Sequence, residues 1–511
     1  MTATTTQTAP AAQTSSGFTL GVFSLTLFIS AALMFAVQPM IGKMLLPLIG
    51  GTPAGWIVAM AFFQIMLLAG YFLAHALSLA TPRRHGMFYI FALLAGAWFL
   101  PLHLAESLNE KLPISIEILR LLTMTIAVPF IALSATSSTI QRLFTVTGHS
   151  AASDPYFLYA ASNLGSFVGL FAYPLLAEPL MGISQQTHVW QIGFMLLIVL
   201  ATVCLAFGRH KKLSTPVQTA DAQPVSESHS KVSWNDRAWW VLLAFIPSSL
   251  LSGVTTHIST DIFSAPMIWV LPLGAYLLTF VIAFSRKPLV SVQTLAQLQP
   301  IVVPFAIGLL ITNNLVMRMS WLALSFHVFA FAVTALLCHM LLAHRRPQNS
   351  AKHLTEFYLM MSVGGALGGV LNAFIIPYTF DRLIEYPVLL ILALLVNPTF
   401  RKPLQKSGAV LVALSVLGAA GYFYFINKFG AAVYSTPVGV ITPRIIMTDI
   451  GMAALFILMA ANIRATLAGC VALLMIGEVI MPKSVLLSER NFFGVISVFE
   501  RPMQIDGKTY S

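Results

Sequence analysis

The sequence predicts an all-α integral membrane protein: two six-helix halves, two or three extra C-terminal spans and a short β-hairpin-like tail. Three observations carry that prediction. Hydrophobic residues make up 58% of the 511 and charged residues only 9%, whereas a soluble domain runs near 25% charged because its surface faces water. Apolar runs long enough to cross about 30 Å of hydrocarbon recur along nearly the whole chain. One long polar segment interrupts them near the middle.

Residues 1–16 (MTATTTQTAPAAQTSS) have no basic n-region and read as a disordered polar tail rather than a signal peptide. Candidate spans follow near 17–38, 54–79, 87–103, 117–138, 155–178 and 187–207, an N-terminal half over 17–207. The segment 208–237, rich in Ser, Thr, Gln and Lys, reads as a cytoplasmic linker. The second half, 238–397, holds runs near 238–257, 264–284, 297–315, 321–343, 354–377 and 384–397. Extra spans within 398–487 lie near 407–426, 444–462 and 465–481. The run at 384–397 and the last two are short, so the count is fourteen or fifteen.

Sidedness follows from Lys and Arg. Segments after even-numbered spans carry sixteen, including Arg83, Arg84, Arg142, Arg345, Arg346 and Arg401, against five after odd-numbered spans up to the eleventh. That bias places the N-terminus in the cytoplasm. It also accounts for the net charge of +11 without nucleic acid, because the basic residues sit in short clusters between apolar runs. Cys204, Cys338 and Cys470 each fall inside an apolar run, without the spacing of a zinc site or a disulfide framework, and read as core packing residues.

The two halves carry a repeated pattern. FLYAASNLGSFVGLFAYP in span five matches FYLMMSVGGALGGVLNAF in span eleven, setting Phe157, Ser162, Gly165 and Gly169 against Phe357, Ser362, Gly365 and Gly369 at a constant offset of 200. A weaker match sets Trp56 against Trp269. Small residues recur in any membrane helix interface, which is the competing explanation. A repeat of six spans in parallel orientation is how major facilitator proteins are built, with the solute site near mid-membrane. The predicted architecture is therefore major-facilitator-like.

Ionisable residues within spans are costly and mark functional positions by default. Asp154 and Glu178 bracket span five, Asp261 follows span seven, and Asp449 and Glu478 fall in the last spans; an interfacial location is the more ordinary explanation for most of them. In TTHISTD (255–261), His257 and Asp261 share a helix face at i and i+4. They either relay protons or hold a cation, or else cap a helix end at the outer surface. Gln38 with Pro39, Gln64, His75, Asn163 and Asn372 are candidates to face a cavity, with interhelical hydrogen bonding as the alternative. His327 and His339 lack metal-ligand spacing, and no metal site is expected. GGALGG (364–369) lies inside an apolar helix, not after a strand, and no P-loop, G-x-S-x-G or H-E-x-x-H occurs.

Four long stretches carry a resemblance: FAVQPMIGKMLLPLIGGTPAGW (35–56), DPYFLYAASNLGSFVGLFAYPLLAEPL (154–180), IPSSLLSGVTTHISTDIFSAPMIWVLPLGAYLLTFVIAF (246–284) and HLTEFYLMMSVGGALGGVLNAFIIPYTFDRLIEYP (353–387). They resemble the membrane region of bacterial spermidine synthase-like proteins, in which a major-facilitator-type helical region is fused to a soluble synthase-like domain. SERNFFGVISVFERPMQIDGKTYS (488–511) resembles the opening strands of that soluble domain, and its alternation and DGK turn independently read as a β-hairpin.

The resemblance implies a multi-pass protein of the bacterial inner membrane and a link to small amines. It also implies that the glycine-rich loop for an S-adenosylmethionine-type ligand, and the catalytic aspartate, would lie in a body domain beyond these strands. Neither is in this sequence. The expectations are thus no catalytic residue, no cofactor and no transferase activity here, with the synthase-like remainder missing or separately encoded. Three functions stay open: a transporter of a small amine or related metabolite, a membrane anchor for a transferase-like domain, or a membrane scaffold that transports nothing. The expected partners are the lipid bilayer and a small-molecule solute.

Overall fold

The computed structural model describes residues 11–105, 108–109, 111–147, 149, 157–207, 232–262, 268–285, 288–311, 320–347, 351–429, 443–480, 485–492, 494–499, 503–505 and 508–510. Residues 1–10 of the predicted tail, 208–231 of the predicted linker and Asp154 lie outside these, as do the side chains of Asp449 and Glu478.

The apolar runs are helices: α1 (Ala11–Ile49), α2 (Pro53–Ser78), α3 (Pro82–Ala97), α4 (Ile114–Thr145), α5 (Phe157–Ala172) and α6 (Ile183–Phe207). Then come α7 (Trp234–His257), α8 (Val270–Ala283), α9 (Val292–Ile311), α10 (Ser320–His344), α11 (Ala351–Val370) and α12 (Glu385–Leu394). The last are α13 (Lys406–Phe429), α14 (Pro443–Ala460) and α15 (Ile463–Ile480). Ten of the described helices are long and apolar enough to cross a membrane, and Val270–Ala283, Glu385–Leu394, Ile450–Ala460 and Ile463–Gly477 are shorter apolar helices. The chain is a multi-span, all-α membrane protein because a helix satisfies its backbone hydrogen bonds internally, as hydrocarbon requires.

Several boundaries differ from the sequence expectation for local reasons. Helix α1 takes in residues 11–16, assigned above to the polar tail. Helix α3 starts at Pro82, a proline in the first turn, where the missing N–H is tolerated, rather than at 87. Between α14 and α15 the break falls at Ala461 and Asn462, with Ile463 and Arg464 already helical. There the Asn462 Oδ1 accepts the Arg464 N–H at 2.9 Å, an N-cap that starts the new helix.

The chain forms two compact units: residues 1–50, 62–237 and 347–362, and residues 51–61, 238–346 and 363–511. In the first, α5 crosses α1 so closely that a Cβ at Gly165 would stand 2.2 Å from the Phe28 carbonyl oxygen, and one at Gly169 2.3 Å from that of Ala32. The Trp190 Nε1–H of α6 donates to the Leu33 carbonyl at 2.9 Å. Between α3 and α4, the Tyr89 hydroxyl donates to Thr136 (2.6 Å), and Arg142 donates to His85 Nδ1 (2.8 Å) and the Ala80 carbonyl (2.9 Å).

The second unit repeats the first crossing. A Cβ at Gly364 would meet the Val241 carbonyl oxygen of α7 at 2.3 Å, and one at Gly368 the Phe245 carbonyl oxygen at 3.0 Å. Helices α5 and α11 each end in a π-turn, Tyr173–Ala177 and Leu371–Ile375, followed by a short helical turn containing Pro179 or Pro377. Trp56 and Trp269, the weakly matched pair, stack on each other with centroids 3.5 Å apart.

At the C-terminus two successive antiparallel hairpins form where the sequence suggested one. Strand β1 (Val485–Asn491) pairs with β2 (Gly494–Phe499), and β3 (Met503–Ile505) with β4 (Lys508–Tyr510). The added turn has a local cause. Asn491 Oδ1 accepts the Gly494 N–H at 3.1 Å, and Gly494 has a φ of +148°, which only glycine adopts readily.

Candidate functional site

In the second unit, the C-terminal end of α7 carries the cluster. Thr256 and Thr260 bond back to the carbonyls of Ser252 (3.0 Å) and Thr256 (2.6 Å), a pattern that bends helices. Over Ile258–Ile262 the helix widens into a π-turn, and such turns concentrate at functional positions. Within it Asp261 Oδ2 lies 2.7 Å from His257 Nδ1. The imidazole is buried, while the carboxylate is 46% exposed and so can exchange with solvent.

Two further rings complete the cluster. A Cβ at Gly253 would sit only 3.2 Å from the Tyr386 Cα, so glycine there lets the start of α12 press against α7. Tyr386 consequently stacks on His257 at 5.6 Å, and His327 of α10 meets the His257 ring edge-on at 4.6 Å. The Tyr386 hydroxyl lies 3.2 Å from His327 Nδ1. Among the described residues, neither His257 Nε2 nor His327 Nε2 has a hydrogen-bond partner.

Beside them, Glu385 receives the guanidinium of Arg490 from β1, with Nη2 at 2.9 Å and Nη1 at 3.2 Å; Nη1 also donates to the Arg382 carbonyl at 3.0 Å. Both side chains are buried. A cavity of about 500 Å3 opens among these groups, lined by Thr256, His257, Asp261, Arg382, Glu385 and Tyr386 with apolar residues of α15. The half-exposed Asp261 carboxylate and the His257 imidazole facing this cavity can pass a proton between them, while the charge of Glu385 is compensated by Arg490.

The other predicted residues lie elsewhere. Gln38 donates to the Met34 carbonyl of its own helix at 3.3 Å. His75 Nδ1 lies 3.0 Å from the Thr355 hydroxyl. Gln64 and Asn163 are half-buried on α2 and α5. These four belong to the first unit. In the second, Asn372 donates to the Ser249 hydroxyl (2.6 Å) and the Gly368 carbonyl (2.8 Å).

Of the packing candidates, Gly165 and Gly169 make the close crossing on α1, whereas a Cβ at Gly365 would meet nothing within 4 Å. The tight contacts on α11 fall at Gly364, one residue earlier, and at Gly368, the residue before Gly369. The hydroxyl of Ser362 is spent on its own helix, donating to the Leu359 carbonyl at 2.8 Å. Glu178 pairs with Lys43 at 2.6 Å. Cys204, Cys338 and Cys470 are buried free thiols. Among the described residues no group of three His, Cys, Asp or Glu is placed to hold a metal ion.

Sequence reasoning passed over Glu385, Tyr386 and Arg490, and set His327 aside. Glu385 had a readable signal as the lone carboxylate opening a short apolar run. Arg490 had none, being 105 residues away.

No family model matches the chain, and no curated protein matches it. Solved structures similar to parts of it include a mutant of the nucleoside transporter NupG, at 12% identity and TM-score 0.39 over 73% of this chain and 96% of that one. Another is the E. coli fucose:proton symporter FucP, at 13% identity and TM-score 0.38 over 75% and 98%. A third is a bacterial homolog to the human lysosomal transporter Spinster, inward-facing and unoccupied, at 12% identity and TM-score 0.42 over 91% and 95%.

Proposed function

We propose that the protein is a small-solute transporter of the major-facilitator type, resident in the bacterial inner membrane with its N-terminus in the cytoplasm, and that its solute is a small amine or a related cationic metabolite. The observation that carries this is the cavity lined by His257, Asp261 and Glu385 in a chain made of membrane helices. Ionisable groups within membrane helices are expensive and are kept where ions or solutes pass. The scarcity of carboxylates in the spans weighs against a cationic solute. Asp261, half exposed at the cavity, supplies the negative charge there, because that of Glu385 is already compensated by Arg490. The repeated glycine crossings, α5 on α1 and α11 on α7, support a duplicated carrier architecture.

A second reading is an anchor for a spermidine synthase-like enzyme, supported by the sequence resemblance and by the β1–β2 pairing at residues 485–499.

Uptake into proteoliposomes separates the two. With a panel of labelled di- and polyamines, the purified protein is expected to give flux above empty vesicles, and Asp261→Asn to lower it and flatten its pH dependence. Absence of flux for every amine would overturn the transport reading, and unchanged pH dependence in the variant would remove Asp261 from any coupling role.

A further inference from the structure

At the opposite end of α7, the second unit gathers cations from three separate elements. The guanidinium carbon of Arg345, at the end of α10, lies 4.7 Å from the ring centre of Trp239, and that of Arg401, in the turn after α12, lies 4.8 Å from the same ring. The two charges therefore stand within about 10 Å of each other, no more than about one Debye length in 0.1 M salt. Arg464, in the first turn of α15, donates to the Phe400 carbonyl at 3.1 Å, with its guanidinium carbon 5.4 Å from the Phe400 ring. It thus reaches the residue beside Arg401.

These positions are built rather than incidental. The turn Pro398–Arg401 is fixed by buried Asn397, whose Oδ1 accepts the Thr399 N–H at 3.0 Å and whose Nδ2 donates to Gln299 Oε1 at 2.8 Å and the Ala296 carbonyl at 3.0 Å. The end of α10 is fixed by the Trp240 Nε1–H, which donates to the Arg345 carbonyl at 2.9 Å.

The charge has a direction. The described carboxylate side chains of this unit, Asp261, Asp381, Glu385 and Glu489, belong to the C-terminal end of α7, the N-terminal approach to α12 and β1. Asp236 and Glu356 belong to the first unit, where they bond Ser233 and Arg237. Guanidiniums offer forked donors that match phosphate oxygens, and tryptophan concentrates where membrane helices meet the headgroup layer. Basic pockets at the ends of such helices receive acidic headgroups.

We propose that Arg345, Arg401 and Arg464, set around Trp239 and Phe400, form a binding site for the phosphate of an anionic phospholipid headgroup. The site is separate from the cavity and independent of what the protein transports.

Native mass spectrometry of the detergent-solubilised full chain, titrated in turn with phosphatidylglycerol, phosphatidylcholine and inorganic phosphate, tests this. Phosphatidylglycerol should be retained in preference to the other two. Affinity should fall about fivefold for each guanidinium removed, the factor equivalent to about 1 kcal/mol per basic residue at an acidic surface. Arg345→Gln with Arg401→Gln should therefore lose most of the preference, whereas Arg345→Lys with Arg401→Lys should keep more of it. Elution of the variants as monodisperse species confirms that they fold; should the glutamine pair not fold, the wild-type preference and the lysine pair still decide the matter. Equal retention of phosphatidylcholine, an unchanged preference in a folded glutamine pair, or binding of free phosphate but not phosphatidylglycerol would each overturn the assignment.

Discussion

Glu385 and Arg490 are joined where little water reaches either, with side chains 4% and 8% exposed. In such a pair the attraction roughly offsets desolvation, but stripping one partner leaves a buried charge uncompensated, at about 3–5 kcal/mol. Arg490→Leu is therefore expected to lower the thermal unfolding temperature in detergent sharply. Glu385→Leu combined with Arg490→Leu should recover much of that loss, and a double variant no more stable than the single would show that the ion pair is not the source. Single residues were legible to different degrees. His257 and Asp261 could be paired from sequence because i and i+4 share a helix face, and the π-turn keeps them at 2.7 Å. The Glu385 and Arg490 contact depends on a strand returning to a helix start 105 residues earlier, and no local pattern encodes that.

Elements follow a different rule, because helices pack by faces rather than by residue counts. The constant offset of 200 pairs Gly165 with Gly365, yet the α11 residue in contact with its partner helix is Gly364. A slip of one residue rotates a side chain by about 100° around a helix of 3.6 residues per turn. Helix existence and the presence of a repeat were readable, since apolar length and small-residue spacing are local, whereas the face in contact needed the packed partner. Gly364→Ala would place a Cβ 2.3 Å from the Val241 carbonyl oxygen, and such overpacking costs about 1–3 kcal/mol. Gly365→Ala meets open space and should be neutral, or stabilising by up to about 1 kcal/mol because alanine suits a helix interior better. Thermal unfolding of the two variants side by side checks this; equal destabilisation would mean that α11 does not cross α7 through Gly364.

Across the whole molecule, the arrangement in the membrane is set by charge that no single helix carries. Sixteen Lys and Arg follow even-numbered spans and five follow odd-numbered ones up to the eleventh, and insertion reads such loop charge in order as the loops emerge. The native thiols add little labelling background, since Cys204, Cys338 and Cys470 are all buried. Gly182 follows the fifth span, and a Cβ there meets nothing within 4 Å, so Gly182→Cys places a thiol in open space after an odd span. Ser226→Cys lies in the polar segment after the sixth. With a membrane-impermeant maleimide, Gly182→Cys should react in intact spheroplasts, and Ser226→Cys only in inverted vesicles. The reverse pattern would turn the whole bundle over and place the Arg345 and Arg401 cluster on the outer face. There, an acidic lipid headgroup would have to come from the outer leaflet rather than the cytoplasmic one.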